Sequence, residues 1–145
     1  MDISQSETSN APLNCVISYE GEGAEEVSLS PERNLITRTA IYVLRCHGQR
    51  QFPVETKIHI INPIPLGRGL GSSGAAVVAG VALGNEVGKL GLSKARMLDY
   101  CLMIGAICFN SDIIIWCQSN APQNDIRITL PQRYMVGLWE HILMI

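Results

Sequence analysis

Apolar and polar positions follow clear periods through the first two thirds of the chain. Asn14–Tyr19 (NCVISY) sets Cys15, Ile17 and Tyr19 at every second position, the period of a strand with one buried face. The turn-rich GEGAEE follows. Ser30-Pro31-Glu32 puts a capping residue before a proline and predicts a helix start. Along NLITRTAIYVLRCHG, the residues Leu35, Ile36, Thr39, Ala40, Val43 and Leu44 share one helical face, and Gly48 predicts its end. Thr56–Ile61 (TKIHII) returns to strand period, with Ile58 and Ile60 on one side. AAVVAGVALGNEVGKL predicts a second helix, and Gly91-Leu92-Ser93 a turn whose serine caps a third, KARMLDYCLMI. Beyond Ile104 the pattern weakens. DIIIWCQ reads as a short strand and YMVGLWEHILMI as a short amphipathic helix.

Within the second helix Ala76, Gly80, Gly84 and Gly88 recur every fourth residue, on one face. Each interior glycine costs roughly 1 kcal/mol against alanine, so something must pack very close to this stripe. The apolar run from Gly74 to Gly84 is too short to span a bilayer, which takes about 20 residues.

The 145 residues suffice for one domain with its own core, and 47% are hydrophobic against 17% charged. A net charge of −2 argues against a general nucleic-acid or membrane-surface binder. The charge is uneven. Residues 1–30 hold six acids and no base, residues 31–104 nine bases and four acids. Any anion site is therefore expected in the middle, although a solvated basic surface gives the same count. Five cysteines show no C-x-x-C pair and no zinc-like Cys/His spacing. The polar leader MDISQSETSN has no apolar export segment, so a cytoplasmic protein with reduced thiols is expected.

The richest chemistry lies in NPIPLGRGLGSSG, between the TKIHII strand and the second helix. Pro63 and Pro65 end the strand because they lack ladder donors. Gly67, Gly69 and Gly71 open backbone conformations closed to other residues, and Ser72 and Ser73 stand where the helix begins. Strand, glycine-rich turn and helix N-terminus together form an anion site. Unpaired N–H groups point outward, and the helix dipole adds positive charge. A tight turn with ordinary capping is the structural alternative. Two other phosphate motifs fit poorly. Gly69-Leu70-Gly71-Ser72-Ser73-Gly74 matches G-x-G-x-x-G, but it sits too far past the strand, and a helix rather than a strand comes next. The Walker pattern needs Gly-Lys-[Ser/Thr], and no lysine follows a glycine here.

PIPLGRGLGSSGAAV resembles the P-x-x-x-G-L-G-S-S-[AG] motif of the GHMP small-molecule kinases. NLITRTAIYVLR and the stretch from KIHIINPIPLGRGLGSSG to LDYCLMI resemble, within that family, the homoserine kinases of the fungal type. The resemblance covers roughly residues 14–104 and is most specific from Pro63 to Ile104. It implies an α+β fold, part of the N-terminal lobe of a GHMP kinase, like domain 2 of ribosomal protein S5 with its left-handed β-α-β crossover. It implies ATP and magnesium as cofactors and L-homoserine as the small-molecule substrate, phosphorylated on its side-chain hydroxyl to O-phosphohomoserine on the route to threonine. Pro65, Leu66, Gly67, Arg68, Gly69, Leu70, Gly71, Ser72 and Ser73 would form the phosphate loop. Ser73 would also reach magnesium. Asn34 would lie near the nucleotide base, or act as a helix cap or first-turn surface residue. Arg68 would touch phosphate or face solvent.

The departures from the family pattern set further expectations. The P-x-S-x-N-x-G-x-G-x-D segment that builds the family's substrate site does not precede Asn14, and Gly105-Ala106-Ile107-Cys108 stands where E-x-H-P-D-N is usual. Glu86 lies thirteen residues along its helix from Ser73, about 20 Å away, too far to replace the missing magnesium ligand. Asp99 reads as a surface residue. Residues 1–13 are accordingly expected to be a flexible leader, and 14–104 a partial ATP-binding domain. Residues 105–145 are expected to be a divergent, poorly ordered tail from a retained intron or shifted frame. A homoserine kinase fragment impaired in catalysis is the main reading. A non-catalytic nucleotide- or anion-binding remnant, or a product without function, is the alternative.

Overall fold

The structure, a computed structural model, describes residues 11–66, 72–104, 116–120 and 125–130. Its elements run β1 (Cys15–Gly21), α1 (Leu35–Cys46), β2 (Thr56–Asn62), α2 (Ser72–Gly88), α3 (Lys94–Ile104), β3 (Trp116–Asn120) and β4 (Asp125–Thr129). The fold is α+β, as expected. The strands form one sheet in the order β1-β2-β4-β3. β1, β2 and β4 are parallel, and β3 runs antiparallel beside β4. Cys15 pairs with Thr56 and Gly21 with Asn62, so β1 and β2 begin and end level.

β1 and β2 have the predicted two-residue period. Cys15, Ile17, Ile58 and Ile60 point to one face, where they meet Ile36, Ala40, Ile41 and Leu44 of α1 and Ala75, Ala79 and Leu83 of α2 in a single core. Ile126, Ile128 and Leu130 complete it from β4 and its exit. Leu130 N–H donates to Ile61 O at 2.9 Å. β3 and β4 both come from the segment expected to be a poorly ordered tail, and their described residues extend the sheet. The other half of the DIIIWCQ expectation and all of YMVGLWEHILMI lie outside the described residues. α3 forms a third layer: Met97, Tyr100 and Cys101 pack on Val77 and Val81 of α2 and on Val43 of α1.

α1 begins later than predicted. Pro31 lies in a turn, and the cap is Asn34, whose Oδ1 accepts from Ile36 N–H at 3.0 Å while its Nδ2 donates to Ser28 O at 3.0 Å. Both Ser30 and Asn34 are good capping types. Ser30 O accepts from Arg33 and Asn34 N–H in a single turn that the chain does not continue, and the helix proper starts where the Asn34 side chain meets the free Ile36 N–H. The far end matches prediction: Gly48 takes φ +81° and its N–H bonds Arg45 O.

The glycine stripe of α2 faces α1. Gly80 lies against Ile36 and Thr39, Gly84 against Ala40 and Val43, and Gly88 against Leu44. Contacts rise together in both helices, so α1 and α2 run parallel with their N-termini at the same end. α1 carries the chain back from the end of β1 to the start of β2. α2 leads out of the C-terminal end of β2, and α1 begins more than a turn further along α2, where Ile36 and Thr39 meet Gly80.

Candidate functional site

That edge is where the glycine loop leaves β2. Pro65 and Leu66 are half-buried on the exit side. Gly67, Arg68, Gly69, Leu70 and Gly71 lie outside the described residues. α2 starts at Ser72, the position predicted from the sequence, with Ser72 half-buried and Ser73 exposed in its first turn. The strand-exit, helix-start junction is thus present, and the first-turn N–H groups of α2 have no partner within the helix.

Asn34 stands at the N-terminus of α1, 4% exposed. Of the roles weighed for it, capping is realised. Thr37 reinforces the same corner: its hydroxyl donates to Pro31 O at 2.7 Å and approaches Asn34 O at 3.1 Å. Asn34 is therefore anchored at the rim, with its acceptor oxygen used by the helix.

The strand exits are knotted together by residues that pattern reading did not single out. Asn62 is 1% exposed. Its Oδ1 accepts from Ile64 N–H at 2.9 Å, and its Nδ2 donates to Tyr19 Oη at 2.7 Å and to Ile64 O at 3.1 Å. Tyr19 Oη donates in turn to Glu22 O at 2.9 Å. Burial raises the Tyr19 phenol above its ordinary pKa; the Asn62 amide opposes this and the Glu22 charge adds to it. The hydroxyl is protonated at neutral pH and able to donate. Glu22 N–H bonds Asn62 O at 2.8 Å. Gly21, at φ +111°, lies so close to Asn62 O that any Cβ would overlap it, and Gly23, at φ +75°, leaves room for the Leu66 side chain. The available signal was the Asn62-Pro63 dipeptide, a turn former whose side chain bonds its own backbone two residues on.

Other polar groups lie elsewhere. His59 is on the outer sheet face, with Nδ1 2.8 Å from Ser18 Oγ and Nε2 3.4 Å from Glu20. His47 ends α1 and meets Tyr100 Oη at 3.1 Å. Asp99 is an exposed partner of Arg96 at 3.8 Å. Among the described residues no three His, Cys, Asp or Glu side chains gather as a metal group. A concavity of about 590 Å³ runs along α1 from Pro31 and Leu35 past Arg38 and Arg45 to Met103 and Ile104, and none of the described residues of the strand exit or of the start of α2 lines it.

A parallel-strand edge, a glycine-rich exit and the helix that opens beyond it make up this junction. Residues 34–116 match the family profile described as GHMP kinases N terminal domain, and the chain belongs to that family. It is 66% identical to homoserine kinase of Saccharomyces cerevisiae over 107 residues, covering 72% of this chain and 30% of that protein. The figures for homoserine kinase of Schizosaccharomyces pombe are 63% over 90 residues, 62% of this chain and 27% of the relative. For homoserine kinase of Candida albicans they are 59% over 98 residues, 68% and 27%. The aligned region thus covers less than a third of these relatives. No solved structure matches the chain. Among the described residues no helix is long and apolar enough to cross a membrane.

Proposed function

We infer that the chain is the nucleotide-binding part of a homoserine kinase. In this reading residues 14–104 bind the triphosphate of ATP at the exit of β2, and the γ-phosphoryl group is destined for the hydroxyl of L-homoserine, giving O-phosphohomoserine in the cytoplasm. One observation carries the phosphate assignment: α2 opens directly after the glycine-rich exit of the parallel strand β2, with its first-turn N–H groups unpaired within the helix. Oriented N–H groups and the dipole of α2 favour a polyanion there. The acceptor rests on the identities to the fungal homoserine kinases.

Pro65 to Ser73 would wrap the phosphates, with Gly69, Gly71 and Ser72 offering backbone N–H groups. Asn34 would border the base. The residues present fit a phosphate better than a bare cation. Magnesium would enter on the triphosphate oxygens, with the Ser73 hydroxyl as the protein's contribution, and would neutralise charge on the transferred group. Gly105-Ala106-Ile107-Cys108 stands where the family pattern has E-x-H-P-D-N, whose glutamate helps hold magnesium, so turnover by this chain is expected to be low, with nucleotide binding retained.

Thermal unfolding with and without Mg-ATP tests the reading. Ligand at 100 times its Kd adds about 2.7 kcal/mol to stability. A rise in melting temperature with Mg-ATP, and none with magnesium alone, is expected; an unchanged midpoint refutes nucleotide binding. A coupled ADP-release assay then tests the acceptor, which requires dependence on L-homoserine.

A further inference from the structure

We propose that Tyr19 and Asn62 are positioning residues of the phosphate site: a buried clasp that fixes the exit of β2 against the turn after β1. This deepens the nucleotide-binding reading and rests on it. The clasp joins two chain segments 43 residues apart through the 2.7 Å bond from Asn62 Nδ2 to Tyr19 Oη. Asn62 uses both ends of its amide on the exit itself, holding Ile64 N–H at 2.9 Å and Ile64 O at 3.1 Å. Tyr19 carries the restraint across to Glu22 O at 2.9 Å, and Glu22 N–H returns to Asn62 O at 2.8 Å. Leu66, the last described residue before the glycines, rests against Gly23 of the same turn. Every described residue from Asn62 to Leu66 is at least half-buried.

A strand could end with far less. Pro63 and Pro65 already terminate the ladder, and the core is complete at Ile60 and Ile64. The additional bonds therefore fix direction. They set the point and direction at which the chain leaves the sheet toward α2. Misplacing backbone donors by about 1 Å costs far more binding to a rigid polyanion than it costs the fold.

The test uses the full chain and Tyr19→Phe, which deletes only the hydroxyl. Thr56→Val is the control. It removes a buried hydroxyl bonded to Val54 O at 2.8 Å, at the opposite end of β2. Titration calorimetry gives the Kd for Mg-ATP, and deuterium exchange without nucleotide reports on residues 61–66. Tyr19→Phe is expected to weaken Mg-ATP binding roughly tenfold and to speed exchange of Ile64 and Leu66, with a melting temperature close to that of Thr56→Val. Thr56→Val is expected to bind as wild type. Equal affinity in Tyr19→Phe and wild type, or an equal loss in both variants, overturns the proposal and leaves a merely structural bond. Should wild type itself not bind Mg-ATP, the nucleotide reading fails separately. Exchange then decides the clasp: unchanged rates in Tyr19→Phe overturn it, faster rates retain it as the device that fixes the strand exit.

Discussion

Alanine at Gly80 is the sharpest probe of the helix pair that builds the site. A Cβ there would overlap Thr39 Cβ and lie 2.5 Å from Ile36 O and 2.8 Å from Thr39 Cγ2. Ile36 O is backbone and cannot swing away, so α1 and α2 must separate. Overpacking of this kind costs typically 1–3 kcal/mol, and a backbone clash belongs at the upper end. The helix regains about 1 kcal/mol because alanine replaces glycine. The net loss for Gly80→Ala is about 2 kcal/mol, a fall of roughly 6–8 °C in melting temperature for a chain of this size. Gly84→Ala meets Ala40 O at 2.9 Å and Val43 Cβ at 3.2 Å and should lose less. Gly88→Ala meets the mobile end of Leu44 at 2.5 Å and Leu90 Cγ at 3.0 Å, so the two effects should nearly cancel. Urea unfolding of the three variants checks the gradient. A Gly80→Ala chain as stable as wild type, or a reversed order, refutes the close parallel packing of α1 on α2.

Other outcomes follow from single groups. Asn34→Ala removes the cap of α1 and should cost about 1–2 kcal/mol in urea unfolding, whereas Asn34→Asp, which keeps the acceptor, should lose less. Burial pushes the Cys15 thiol from 9.0 up to about 12, so folding favours its protonated form. That contribution is complete below pH 9 and should fade by up to about 1.4 kcal/mol per pH unit between pH 9 and 12. A Cys15→Ala chain should show a shallower decline over that window. Peptide mapping after brief alkylation at pH 8 should find Cys46, which is exposed, modified and Cys15, which is buried, untouched until urea is added.

Local pattern made much of this legible. The two-residue period of Cys15–Tyr19 and Thr56–Ile61 gave the strands, and the four-residue glycine interval foretold a close neighbour, which proved to be α1. The start of α2 at Ser72 followed from glycines giving way to capping serines. What escaped depends on partners distant in sequence. The cap of α1 was misplaced by four residues because Ser30 and Asn34 are both good caps, and only the fold shows which side chain meets a free N–H. β4 lies between β2 and β3, a pairing no local window encodes. Asn62 looked like a mere turn residue beside proline. Its importance appears only when Tyr19, on another strand, is brought to its amide.

Deuterium exchange across residues 66–73, with and without saturating Mg-ATP, tests the central claim most directly. The account predicts slowed exchange there and at the first turn of α2, with little change in α3. Identical exchange in the two samples, in a folded chain, would contradict a phosphate site at this junction.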